Sequence, residues 1–141
     1  PKPSSAASDV YKRQALAKAI EWGAEVILSV PCCQHELNDK IQNELLKPVL
    51  KYGILKERMS ALLTDGIRAE LLESKGYRTQ ILEFIDMEHT PKNLLIRAVK
   101  TGKKQSTDSL AEMTEALHAD LILEKLLYPQ GIQTEKGAQK P

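Results

Sequence analysis

An α/β fold is predicted by three features of this 141-residue sequence. The run Val26-Ile27-Leu28 is unbroken and β-branched at two of its three places, the pattern of a strand covered on both faces in a parallel sheet. Amphipathic helical text follows it. Two further strand-like runs, Thr79–Ile85 and Leu94–Val99, are separated only by Asp86 to Asn93. That connection is too short for a crossover helix, so the last two strands should pair antiparallel.

Ala15 to Trp22 is helical in composition, Trp22 is expected to pack that helix, and Gly23 stands where a left-handed C-terminal cap is needed. The strand text, Glu25 to Val30, stops at Pro31, which has no N–H for a sheet ladder. From His35 to Tyr52 the text turns from polar to amphipathic, with Leu45, Leu46, Val49 and Leu50 at helical spacing. Pro48 should kink or divide this segment, and Gly53 should break it. A second helix is expected over Lys56–Lys75, carried by Met59, Leu62, Leu63, Ile67, Leu71 and Leu72 and closed by Gly76. After Lys100 comes loop text. Ser109 and Glu112 have the spacing of a capping box. Leu110, Met113, Leu117, Leu121 and Leu126 then predict one amphipathic helix ending near Pro129, with a polar, disordered tail over 130–141. The first strand has no parallel partner in this chain, so about half of the expected core is missing.

Residues 1–14 stand apart. Ser4 to Gln14 resembles the in-frame translation of a transposon-type sequencing adapter, and the segment is set aside from the fold as a leader. The remaining text starts abruptly inside a helix, as though cut there. The whole chain carries 20 Lys and Arg against 19 Asp and Glu. Without Lys2, Lys12, Arg13 and Asp9, 17 basic and 18 acidic residues nearly cancel, so no global charge argues for nucleic acid or an anionic membrane. The two cysteines, Cys32 and Cys33, are adjacent and cannot form a disulfide framework, which makes a reducing cytoplasm the simplest compartment. No apolar run approaches the roughly 18–20 residues of a membrane span.

Two words of the sequence carry a family resemblance. They are Val30-Pro31-Cys32-Cys33-Gln34-His35 at a strand end, and His89-Thr90-Pro91-Lys92-Asn93-Leu94-Leu95 between the last two strands. With the helix before the first strand, they resemble a class I S-adenosylmethionine-dependent methyltransferase family with a CC-x-H type signature after its fifth strand. Relatives include a eukaryotic tRNA ribose methyltransferase family. The resemblance covers residues 15–100, and implies the C-terminal half of a Rossmann-like domain followed by a loop and helix over 101–129. That fold has seven strands, six parallel and the last antiparallel. Strand five would be Val26–Val30, strand six Thr79–Ile85 and strand seven Leu94–Val99. S-adenosylmethionine would rest over the carboxyl ends of strands one to four, so no cofactor ligand is carried by this chain.

At the end of strand five the same resemblance places the acceptor pocket. His35 would orient or deprotonate the acceptor, with Cys33 beside it, and Pro31, Cys32 and Gln34 would shape the wall. Asp86, Glu88, His89, Lys92 and Asn93 would rim the acceptor side, Lys92 meeting a phosphate. The blander reading makes the cysteines small core fillers and the Pro91 loop a plain hairpin turn. Cys32, Cys33 and His35 lie too close for the usual paired-cysteine zinc spacing; His89 and His118 could join them only through folding. Lys100, Lys103 and Lys104 read as a solvated basic loop. The expected activity is methyl transfer from S-adenosylmethionine, with RNA the leading acceptor class, and the truncated chain inactive by itself. A non-catalytic binding or scaffold module of the same fold, and a metal-binding α/β module, are the alternatives.

Overall fold

The computed structural model of the chain describes residues 14–30, 36–83 and 94–132. Helix α1 spans 14–21 and ends as its sequence predicts. Gly23 takes a φ of +70°, its N–H reaches Ile20 O, and Ala24 N–H reaches Ala19 O, which together make a Schellman cap. Strand β1 is Val26–Ser29. The four-residue helix α2, Lys47–Leu50, carries Pro48 in its first turn, where a missing N–H costs nothing. Helix α3 runs Gly53–Ser74, so Gly53 opens the helix that it was expected to precede. Strands β2, Tyr77–Glu83, and β3, Leu94–Lys100, follow. Helices α4, Asp108–Leu117, and α5, Ile122–Leu127, close the described chain.

The sheet is mixed in sequence order and antiparallel in every pairing: β1, then β3, then β2. β2 and β3 pair as expected, from Tyr77 opposite Lys100 to Glu83 opposite Leu94. β1 does not join a parallel ladder. It pairs antiparallel with β3, Ile27 facing Ala98. Because β3 opposes both neighbours, β1 and β2 run in the same direction on either side of it, and their carboxyl ends share one edge of the sheet.

Alternation decides which side is covered. Ile27, Tyr77, Ile96 and Ala98 point to one face and are buried, together with Ile67, Leu71 and Leu72 of α3. Val26 and Leu28 point to the other face and are 55% and 63% exposed. The doubly buried strand expected from the unbroken apolar run is therefore covered on one face only. Trp22, expected to pack a helix, is 78% exposed. Both corrections have one cause: among the described residues nothing covers the second sheet face or the outer side of α1.

α3 departs from its apolar pattern too. Leu62 is exposed, whereas Ser60, Thr64, Asp65 and Arg68 are buried. The single C-terminal helix is also corrected. His118 adopts a left-handed φ of +55°, and Ala119 N–H returns to Thr114 O, so α4 ends and α5 starts afresh at Leu121. Thr107 occupies the N-cap of α4, without a side-chain cap, in place of the Ser109 box. Of the leucine stripe, Leu110, Leu117 and Leu121 are buried in the main core and Met113 packs against it, whereas Leu126 is exposed and Leu123 takes the buried place instead. Ile132, expected in a loose tail, packs against that core as well. Tyr128 ties the end of α5 to α3, its hydroxyl donating to Ser74 Oγ at 2.8 Å while Lys75 Nζ lies 4.0 Å from its ring.

Gly76 carries the tight turn from α3 to β2. Its φ is +95°, and a Cβ there would meet the backbone of Gly102 at 3.4 Å. Its carbonyl accepts from the N–H groups of Thr101 and Gly102. Gly76→Ala should lower stability by about 1–2 kcal/mol, the cost of a side chain in left-handed backbone. A urea melt giving an unchanged midpoint would show that the turn relaxes freely.

Candidate functional site

The carboxyl edge shared by β1 and β2 is the candidate site, because ligands of open α/β sheets gather beyond strand carboxyl ends. The chain leaves β1 there through Val30 and is described again from Glu36; it leaves β2 at Glu83 and is described again from Leu94. Pro31, Cys32, Cys33, Gln34 and His35 lie outside the described residues, as do Asp86, Glu88, His89, Lys92 and Asn93. Of the two words that carried the resemblance, only Val30, Leu94 and Leu95 are among the described residues.

What the structure does place around the edge is its support. Leu37 and Ile41 are fully buried just after the first interruption. Gln42 N–H donates to Leu117 O at 2.9 Å, and the Asn43 side chain donates to Ala116 O at 3.1 Å while accepting from Leu46 N–H. Lys40 Nζ reaches Asp120 O, and a Glu36 carboxylate oxygen accepts from Ile122 N–H. The segment after β1 is therefore strapped to the junction of α4 and α5. That junction, which the sequence marked only as apolar helix text, acts as a brace for the loop behind the candidate site.

α3 supplies the other support. It packs against β2 beyond the tight turn at Gly76. Part of its buried face is polar. Ser60 Oγ donates to Lys56 O at 2.7 Å and Thr64 Oγ1 to Ser60 O at 2.7 Å, which satisfies both hydroxyls within the helix. Arg68 lies 3.9 Å from Asp65, and both side chains are almost wholly buried. Sequence reasoning missed this pair. Its signal was present, since positions 60, 64, 67, 68, 71 and 72 share one helical face, but apolar residues alone were counted on it.

Shifted ionisations lie elsewhere. Burial raises Glu70, with Glu73 adding to it, and burial also raises Tyr77. Burial lowers Lys75, with Lys104 adding to it. Glu124 is raised by burial and then by Asp120, against the Leu121 N–H and Lys125. Glu70, Lys75 and Tyr77 border the turn at the amino end of β2, opposite the candidate edge. Tyr77 donates its hydroxyl to Ala24 O at 2.7 Å, and Lys75 rests on Tyr128, so these shifts follow from packing. His118 is exposed at the α4 end, and among the described residues no three His, Cys, Asp or Glu side chains gather to hold a metal. Lys100, Lys103 and Lys104 are exposed, as a solvated basic loop should be.

The residues described do not fit S-adenosylmethionine. Gly23 and Gly76 close helices, Gly53 opens one, Gly66 lies inside one, Gly131 follows α5, and Gly102 stands as a single glycine in the connection from β3 to α4, so the described residues hold no glycine-rich strand-to-helix loop. No described helix is long and apolar enough to cross a membrane. No protein-family model, curated protein or solved structure matches this chain.

Proposed function

We propose that this chain forms the acceptor-side half of a class I methyltransferase domain, transferring a methyl group from S-adenosylmethionine to RNA once a cofactor-binding half is joined to it. The observation that carries this reading is the strand order. β3 opposes two mutually parallel strands, which is the arrangement expected where the last of seven strands alone is antiparallel. The outer edge of β1 supports it. That edge has no partner among the described residues, and Val26, Leu28 and Trp22 stand exposed beside it, as they would where further strands and helices belong. RNA as acceptor rests on analogy with the tRNA-modifying relatives of the family it resembles.

The acceptor would meet His35 and Cys33 at the end of β1, with His89, Lys92 and Asn93 on the facing rim. In-line methyl displacement needs the acceptor held and oriented, and one group able to take its proton; polar side chains suffice for that. The cofactor supplies the activated methyl group, and its contacts belong to the missing half.

Two titrations test the reading. The 141-residue chain alone should give no calorimetric heat with S-adenosylmethionine at micromolar concentrations. A full-length relative with an intact glycine-rich loop should bind it and pass a labelled methyl group to bulk tRNA. Micromolar binding by the chain alone, or a full-length protein that binds the cofactor yet methylates no RNA, would sink it. The latter outcome is what a scaffold of the same fold would give.

A further inference from the structure

A groove of about 320 Å³ opens between α2 and the segment before it, bordered by Gln42, Glu44, Lys47, Lys51 and Lys56. Three lysines face one glutamate here, although the chain as a whole is nearly neutral. None of the three pairs with a carboxylate among the described residues. Lys51 Nζ instead sits 5.1 Å from the ring of Tyr52, which is half exposed. Tyr52 is also the N-cap of α3, and no acidic residue occupies the first turn of that helix. The positive end of a 22-residue helix therefore adds to the lysine field instead of being neutralised. Three like charges against the single Glu44 leave a net positive field in the groove, which a polyanion would meet.

A single-stranded phosphodiester backbone lying along this groove would meet the lysines on its phosphates and the Tyr52 ring on a base.

We propose that Lys47, Lys51 and Lys56 form a phosphate-binding track for the RNA acceptor, with Tyr52 as a stacking platform. The track rests on the RNA reading above but needs no cofactor, so the 141-residue chain itself can be tested. Fluorescence anisotropy with a labelled single-stranded RNA, across a series of salt concentrations, is the measurement. The Lys47→Gln/Lys51→Gln/Lys56→Gln variant should bind at least about tenfold more weakly at low salt, and the slope of log K against log salt should flatten by about 2, near 0.7 per phosphate contact on a single strand. Tyr52→Ala should weaken binding about fivefold or more without changing the slope. Lys103→Gln/Lys104→Gln, on the other basic loop, should leave both quantities unchanged.

Equal binding by the triple variant and the unaltered chain overturns the track, and so does an equal loss in the Lys103/Lys104 control. Polyglutamate competing as well as RNA overturns the assignment to nucleic acid in favour of an acidic protein. If the chain binds RNA through these lysines but a full-length relative methylates none, the track stands and the methyltransferase reading falls. If methylation of RNA persists in a full-length triple variant with unchanged KM, the track falls and the methyltransferase reading stands. These side chains are solvent-facing, and a thermal melt on each variant separates a binding loss from unfolding.

Discussion

His35→Ala and Cys33→Ser, placed in a full-length relative of this chain, are each expected to cut methyl transfer by on the order of 10²–10⁴-fold, the usual worth of one acid–base or positioning group. Affinity for S-adenosylmethionine should hardly change. The expectation comes from where the chain leaves the sheet. β1 runs parallel to β2, and both end at one edge, so the Pro31–His35 word begins where ligands of such sheets are found. In the proposed reading the cofactor would rest over other strands of the sheet, which would leave this end to the acceptor. Imidazole suits the task, since its pKa lies close enough to neutrality to take a proton and release it. Turnover, KM and cofactor affinity should be measured together, with a thermal melt on each variant. Loss of kcat with intact cofactor binding and an unchanged melt supports the pocket. Full turnover in both variants makes the cysteines core fillers and His35 a surface group. An unstable Cys33→Ser with normal activity per folded molecule assigns that residue to packing.

Much of the fold was legible because its signals are local. Gly23 and Gly76 end helices in left-handed backbone, as their places after apolar-periodic text require. The β2–β3 pairing follows from a connection too short for a helix. Where reading failed, the deciding information was not local. Val26 and Leu28 look like residues of a doubly covered strand, and their composition suits one. The cover is not among the described residues, and no sequence pattern announces that. The leucine stripe of 110–126 reads as one helix because periodicity survives a break at a single left-handed residue, and histidine is not the residue that marks such a break. For the candidate site, the sequence located the words but not their supports. The brace made by Gln42 and Asn43 on the α4 end links residues some 75 apart. The lysine groove was hidden by a charge sum that averages basic and acidic residues over the whole chain.

Arg68→Met is expected to destabilise the chain by about 3–5 kcal/mol, the usual cost of removing one partner from a buried ion pair. That corresponds to a fall in melting temperature of at least roughly 10 °C for a domain of this size. Arg68 and Asp65 lie one helical turn apart on α3, and neither side chain is more than 8% exposed. Their separation of 3.9 Å is long for a hydrogen-bonded pair, so the gain is mainly the mutual cancellation of two charges taken out of water. Both residues also interact beyond this pair. Removal of the guanidinium takes a charged neighbour from a carboxylate that is almost wholly buried. The double variant Asp65→Ala/Arg68→Met removes both charges while keeping an apolar chain at position 68. It should melt above Arg68→Met alone, since an uncharged site has no ion to desolvate. Thermal and urea unfolding of the two singles and the double close a mutant cycle. A coupling near zero, with the double as unstable as the sum of the singles, would show that each charge is held by its other contacts instead of by its neighbour. In that event the two residues are independent supports of the α3 core, each held by its own further contacts.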